Sequence, residues 1–105
     1  MEIMGLEIDL DRLRRSELRA FLHDLVRIGS ELSRADLTLE QRVGFEEQQD
    51  GLTAWLAEKV VVSWPFPQPI SREGYLTLGL ADAMTADEAL SEALTWLSEQ
   101  RGKKK

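Results

Sequence analysis

Few residues in this 105-residue chain are equipped for chemistry. There is one histidine, His23, and no cysteine, which excludes disulfides, thiolate metal sites, cysteine nucleophiles and a histidine-rich metal centre. Asp50 follows Glu46 by four positions and Glu47 by three, a spacing that lets carboxylates on one helix face touch a cation. Glu88 and Glu92 repeat the four-residue step. Neither group has a histidine nearby or a calcium-binding loop around it, so both read as solvated acidic faces. Gly44 and Gly51 are too far apart, and too acidic in surroundings, to cradle a phosphate. Catalysis requires a nucleophile beside a base, paired carboxylates in a dry pocket, or a metal with an open position. None of these assembles, so the chain is expected not to be an enzyme and to use no cofactor and no metal.

What remains is surface able to hold another protein. Trp55, Trp64 and Phe66 fall within twelve residues, and tryptophan anchors interfaces because it buries a large area with few rotatable bonds. The competing reading of Trp64 and Phe66 is that they fold back onto the helices as core. Trp96 sits at the edge of its helix's apolar stripe and reads as a half-exposed contact. The residues expected to meet a partner are Leu52, Trp55, Leu56, Val60, Trp64, Phe66 and Trp96.

Composition narrows the class of partner. With 43% hydrophobic and 30% charged residues the chain lies in the globular range, and its length suits one domain without a large internal cavity. The net charge is −6, and the last five residues carry four of the cations, leaving −10 on residues 1–100. Such a body repels phosphate backbones, so nucleic acid is not an expected partner. No signal-like or membrane-length apolar run is present, so no membrane association and an intracellular, soluble protein are expected.

The elements that must position these residues are helical. Leucine and alanine, 17 and 9, outnumber valine and isoleucine, 5 and 4, which favours helix over sheet and predicts an all-α protein of three to five helices. From Ser16, a candidate N-cap, to Ser33, the apolar residues Leu18, Phe21, Leu22, Leu25, Ile28 and Leu32 recur at spacings of three and four. Arg19, His23, Arg27 and Glu31 run down the opposite side, and Gly29 falls on the apolar side, where another backbone can approach. Residues 6–13 read as a short strand, an extended arm or a helical turn. A second helix runs from the capping box Thr38–Gln41 to about Val62, with a polar first half and an end, Leu52 to Val62, that is apolar nearly all round. Val60–Trp64 competes as a strand, but helix is preferred because no convincing partner strand exists. Any strand is confined to residues 3–10 or 60–64, and three or more paired strands would overturn the class. Pro65, Pro67 and Pro69 hold the next segment extended, a hinge at 65–69 between an N-terminal helical pair and a C-terminal unit. Ser71 caps a short helix ending near Gly79. A last helix starts at Leu80 or at Thr85 and runs to about Gln100, with Leu90, Ala93, Leu94 and Leu97 as its stripe.

The stretch Val60-Val-Val-Ser-Trp-Pro-Phe-Pro-Gln-Pro-Ile-Ser-Arg-Glu-Gly-Tyr-Leu-Thr-Leu-Gly-Leu-Ala-Asp-Ala resembles the tail assembly chaperones of long-tailed, siphovirus-type bacteriophages. In that family an apolar helix ends in a Trp-Ser/Pro-Phe element. A Pro/Ser loop, a short helix reaching a Leu-Gly/Pro-Leu-x-Asp step, and an alanine-rich last helix follow. The likeness covers residues 60 to about 97, and the opening Gly5-Leu-Glu-Ile-Asp-Leu is also similar. The triple-proline loop departs from the pattern in being richer in proline. The resemblance implies a small, self-associating helical protein of the host cytoplasm, absent from the mature virion, that binds the hydrophobic tape measure protein and keeps it soluble while the tail tube assembles. The family also implies a longer frameshifted form that recruits tail tube subunits. Apart from Lys59 every lysine lies at 103–105, and Gly102-Lys103 suits a slippery codon run. The alternative is an acidic helical adaptor, of antitoxin or anti-repressor type, that occludes a basic partner.

Overall fold

The computed structural model describes residues 1–103, with side chains described as far as Gln100. Met4 (φ 54°) and Gly5 (φ 86°) are both left-handed. Two such residues in succession make a tight turn whose twist matches that of antiparallel strands. Strands β1 (Glu2–Ile3) and β2 (Leu6–Ile8) therefore pair across it. Leu6 and Ile8 are buried and Glu7 is exposed, the period of two expected of a strand with one wet face. One turn of 3-10 helix, Leu10–Arg12, follows, started by the Asp9 carboxylate accepting from the Asp11 N–H at 3.0 Å. Residues 6–13 are thus both a strand and a helical turn.

Helix α1 spans Arg15–Leu32. Its cap is Arg14, not Ser16, because the Arg14 N–H donates to Glu17 Oε1 at 2.9 Å and closes the first turn two residues earlier. Leu18, Phe21 and Ile28 are buried as the spacing predicts. Leu22 is exposed instead, because α1 is covered along one side only. Gly29 is approached by nothing: a Cβ there would meet no atom within 4 Å. Helix α2 (Leu39–Val60) begins at the expected capping box, with Gln41 N–H on Thr38 Oγ1 at 3.1 Å and Thr38 N–H on Gln41 Oε1 at 3.0 Å.

The helical reading of residues 61–62 is corrected. Helix α2 stops at Val60, and Val61–Ser63 form β3, antiparallel to β2 in the order β1-β2-β3. The N-terminal hairpin supplies the partner that the sequence did not reveal, and β-branched residues suit the pleat better than the helix. Three strands do pair, but each is two or three residues long and the fold is 69% helical. All lie within the two expected windows except Glu2.

The proline segment links the two helical parts and is held at three points. The Trp64 indole N–H donates to the Gln68 carbonyl at 2.8 Å. Pro65 lies against Gly5, and the Pro69 carbonyl oxygen lies where a Cβ on Gly74 would have to stand, so that position requires glycine. Helix α3 (Arg72–Leu76) is capped by Ser71, whose Oγ accepts from the Gly74 N–H at 2.9 Å. Helix α4 (Leu80–Lys103) starts at Leu80 and passes through Thr85 unbroken. Ala86, Ala89, Leu90 and Ala93 are buried, and the small residues let the helix lie close against β1 and β2. One apolar cluster joins β2, α1, α2, β3, α3 and α4. The molecule is flat, 41 × 40 × 20 Å, with a radius of gyration of 14.5 Å against about 13 Å for a compact chain near this length.

Candidate functional site

Between α1 and α2 an open cleft of about 600 Å³ is cut into the surface. Its cause is local. At the facing positions α1 presents Ala20 and α2 presents Gly51, where a Cβ would meet no atom within 4 Å. Without side chains to interdigitate there, the two helices leave a gap. Phe21 and Trp55 stack beneath it, ring centroids 6.0 Å apart, with Leu52 and Ile28 alongside. The rim is charged and of both signs. Glu17 bridges to Lys59 at 3.1 Å, Asp24 faces Arg27 at 3.9 Å, and Arg72 holds Glu58 through its backbone N–H at 2.9 Å. The Glu17 carboxyl is held below its ordinary value, first by the Arg14 N–H and then by Lys59. An apolar floor with a balanced charged rim can seat one face of an amphipathic segment.

The seven residues expected to meet a partner separate into three groups. Leu52 and Trp55 open on the cleft. Leu56 and Val60 do not: at 1% and 0% exposure they are core, on the side of α2 that is turned into the apolar cluster. The helix end that read as apolar all round has its second side covered by the chain itself. Trp64 and Phe66 pack on each other, ring centroids 5.5 Å apart, and against the core, closing the proline loop rather than forming a free surface. Trp96 is 44% exposed near the far end of α4.

His23 is solvent-exposed beside Asp24 on the outer face of α1. Among the described residues no group of three or more His, Asp or Glu side chains is arranged to hold a metal ion, and no helix is long and apolar enough to cross a membrane. A second, smaller concavity lies where α3 meets α4. There the Tyr75 hydroxyl donates to Asp87, and burial pushes the Tyr75 phenol up, reinforced by that hydrogen bond. Comparison with protein-family models, curated proteins and solved structures finds no match to this chain.

Sequence reasoning missed the cleft's polar rim and the α3–α4 corner. The signal for the corner was present: Leu76, Leu80 and Met84 recur every four residues. The Leu90–Leu97 stripe drew the reading to the other side of the same helix. For the rim there was no signal, since Arg72 reaches the cleft only through the fold.

Proposed function

We propose that the protein is a tail assembly chaperone of a long-tailed bacteriophage, which holds apolar helical segments of the tape measure protein in the α1–α2 cleft and keeps that protein soluble until the tail tube forms. The observation that carries this reading is the cleft itself, a gap at Ala20 and Gly51 floored by Phe21, Leu52 and Trp55 in a chain otherwise acidic outside. The likeness of residues 60–97 to that chaperone family supports it. The protein acts in the host cytoplasm and leaves before the virion matures. A frameshifted longer form recruits tube subunits. The lysine run of that idea begins at Lys103, and Lys104 and Lys105 lie outside the described residues.

The test is co-expression with the tape measure protein. Gly51→Leu fills the gap and improves helix propensity, so the fold is retained while the client is lost to the pellet. Leu52→Asp has the same effect by placing a charge on the apolar floor. If both variants hold the client in solution as well as the parent does, the cleft is not the client site. The acidic adaptor reading draws on the −10 charge of residues 1–100. It requires binding that weakens steeply between low and high salt, which seating an apolar helix does not.

A further inference from the structure

Gly29 falls on a side of α1 where another backbone could approach, and within the chain none does: a Cβ there would meet no atom within 4 Å. It stands at the end of a line along the helix. Arg15, Arg19, Leu22, Val26 and Gly29 follow one another at steps of four, three, four and three, and at about 100° per residue they share a sector of about 80°. Alternating steps of this kind make the seam along which a second helix packs with interdigitated side chains. The chain leaves the seam open, with Leu22 and Val26 exposed by 37% and 73% and both arginines exposed.

The two halves of the seam differ in chemistry. Its first half is cationic, and among the described residues neither Arg15 nor Arg19 is in an ion pair. Arg15 is the first residue of α1, at the positive end of the helix dipole, where a cation costs stability. The helix itself gains nothing from this placement. The second half is apolar, and Gly29 leaves room for a close approach. A helix with two carboxylates four residues apart, then two large apolar side chains and a small residue, complements this line, since each guanidinium takes a carboxylate bidentately. Two arginines are too few to hold a phosphate polymer against a body of net −10 over residues 1–100. They suffice for side chains in contact, because salt at physiological strength screens charges beyond about 8 Å. Opposed helix dipoles favour an antiparallel partner, with its carboxylates at its C-terminal end.

We propose that the outer face of α1 docks an acidic amphipathic helix of another protein, antiparallel to α1, with carboxylates on Arg15 and Arg19, apolar side chains over Leu22 and Val26, and its backbone nearest at Gly29. The inference is independent of the client reading, because Ala20, Asp24 and Arg27 of the cleft lie on the other side of α1.

The probe is a dye-labelled helical peptide whose seam reads alanine, leucine, leucine, glutamate and glutamate at steps of three, four, three and four; a twin carries lysine in place of both glutamates. Fluorescence anisotropy reads binding to the full chain. The parent takes the glutamate peptide and not its twin. Arg15→Glu with Arg19→Glu weakens that binding roughly tenfold or more and turns the preference to the lysine peptide. Gly29→Leu also weakens it, although leucine is the better helix former, so the loss comes from blocked approach and circular dichroism is unchanged. A parent that binds neither peptide, or both alike, overturns the proposal, as does binding indifferent to the substitutions. Light scattering on the protein alone gives the same mass for the parent and the charge-reversed variant; a changed mass would mean that the face joins copies of this chain, and the proposal fails. It fails too if duplex DNA or anionic vesicles displace the glutamate peptide from the parent.

Discussion

Between Ala54 and Val60 one side of α2 is sealed into the core that the sheet and α3 share; toward its start the same helix leaves Leu39 and Val43 exposed. The backbone is one unbroken helix, so the difference comes from neighbours alone. In the walled half Ala54, Leu56, Ala57 and Val60 are specified by what they touch. In the open half glycine is tolerated at 44 and 51 because nothing approaches, and polar residues cover most of the surface. Stability resides in the first region, and the second keeps its surface uncovered.

If that contrast is right, Leu56→Ala in the walled half costs about 4 kcal/mol, the range for a buried leucine replaced by alanine. Val26→Ala, on the open outer side of α1, stays within about 0.5 kcal/mol. Chemical denaturation of both variants checks this, and comparable losses would erase the distinction. Gly74→Ala comes next, at about 3 kcal/mol, since its methyl must displace the Pro69 backbone. The same change at Gly44, where the space is empty, raises stability by about 0.5–1 kcal/mol through helix propensity and a less free unfolded chain. One substitution with opposite signs, in α3 against the core and in the open half of α2, is the sharpest form of the comparison, and thermal melts of the pair suffice to read it.

The smallest effect lies in pH dependence. The folded Glu17 carboxyl is below its unfolded value, so its contribution is complete above the unfolded pKa and is lost as pH falls through the folded one. Asp87 is shifted the other way, so its contribution is present below the unfolded pKa and is lost as pH rises through the raised value. Glu17→Gln therefore flattens the acid limb of a stability-versus-pH curve, and Asp87→Asn removes the loss of stability that comes as pH rises through the raised Asp87 value, while its amide oxygen still accepts from Tyr75. Denaturation across a pH series separates them; parallel curves for both variants would mean that neither shift matters to folding.

Helix positions and most caps were legible in the sequence because they depend on local spacing. Thr38, Ser71 and the Leu90–Ala93 stripe needed no tertiary knowledge. What could not be read was pairing across distance. Val61–Ser63 carries strand-forming residues, yet whether it becomes strand depends on Leu6–Ile8 being ready to receive it, more than fifty residues away. The same non-locality misplaced part of the candidate site. Leu56 and Val60 look like free grease when α2 is considered alone, and become core only when the rest of the fold is laid over them. Leu52 and Trp55 kept their exposure because their neighbour across the gap is an alanine.

The order β1-β2-β3 also sets a timetable. The first strand pair is complete once eight residues exist, but the outer side of β2 has no partner until residue 63 is made. During synthesis that edge stands open while α1 and α2, whose contacts are nearer in sequence, are free to coil and dock first. The α1–α2 pair is therefore the early structure and the sheet the late lock. A chain slowed between residues 9 and 60 would expose Leu6 and Ile8 beside an unpaired strand, the surface most prone to find the wrong partner in a crowded cell.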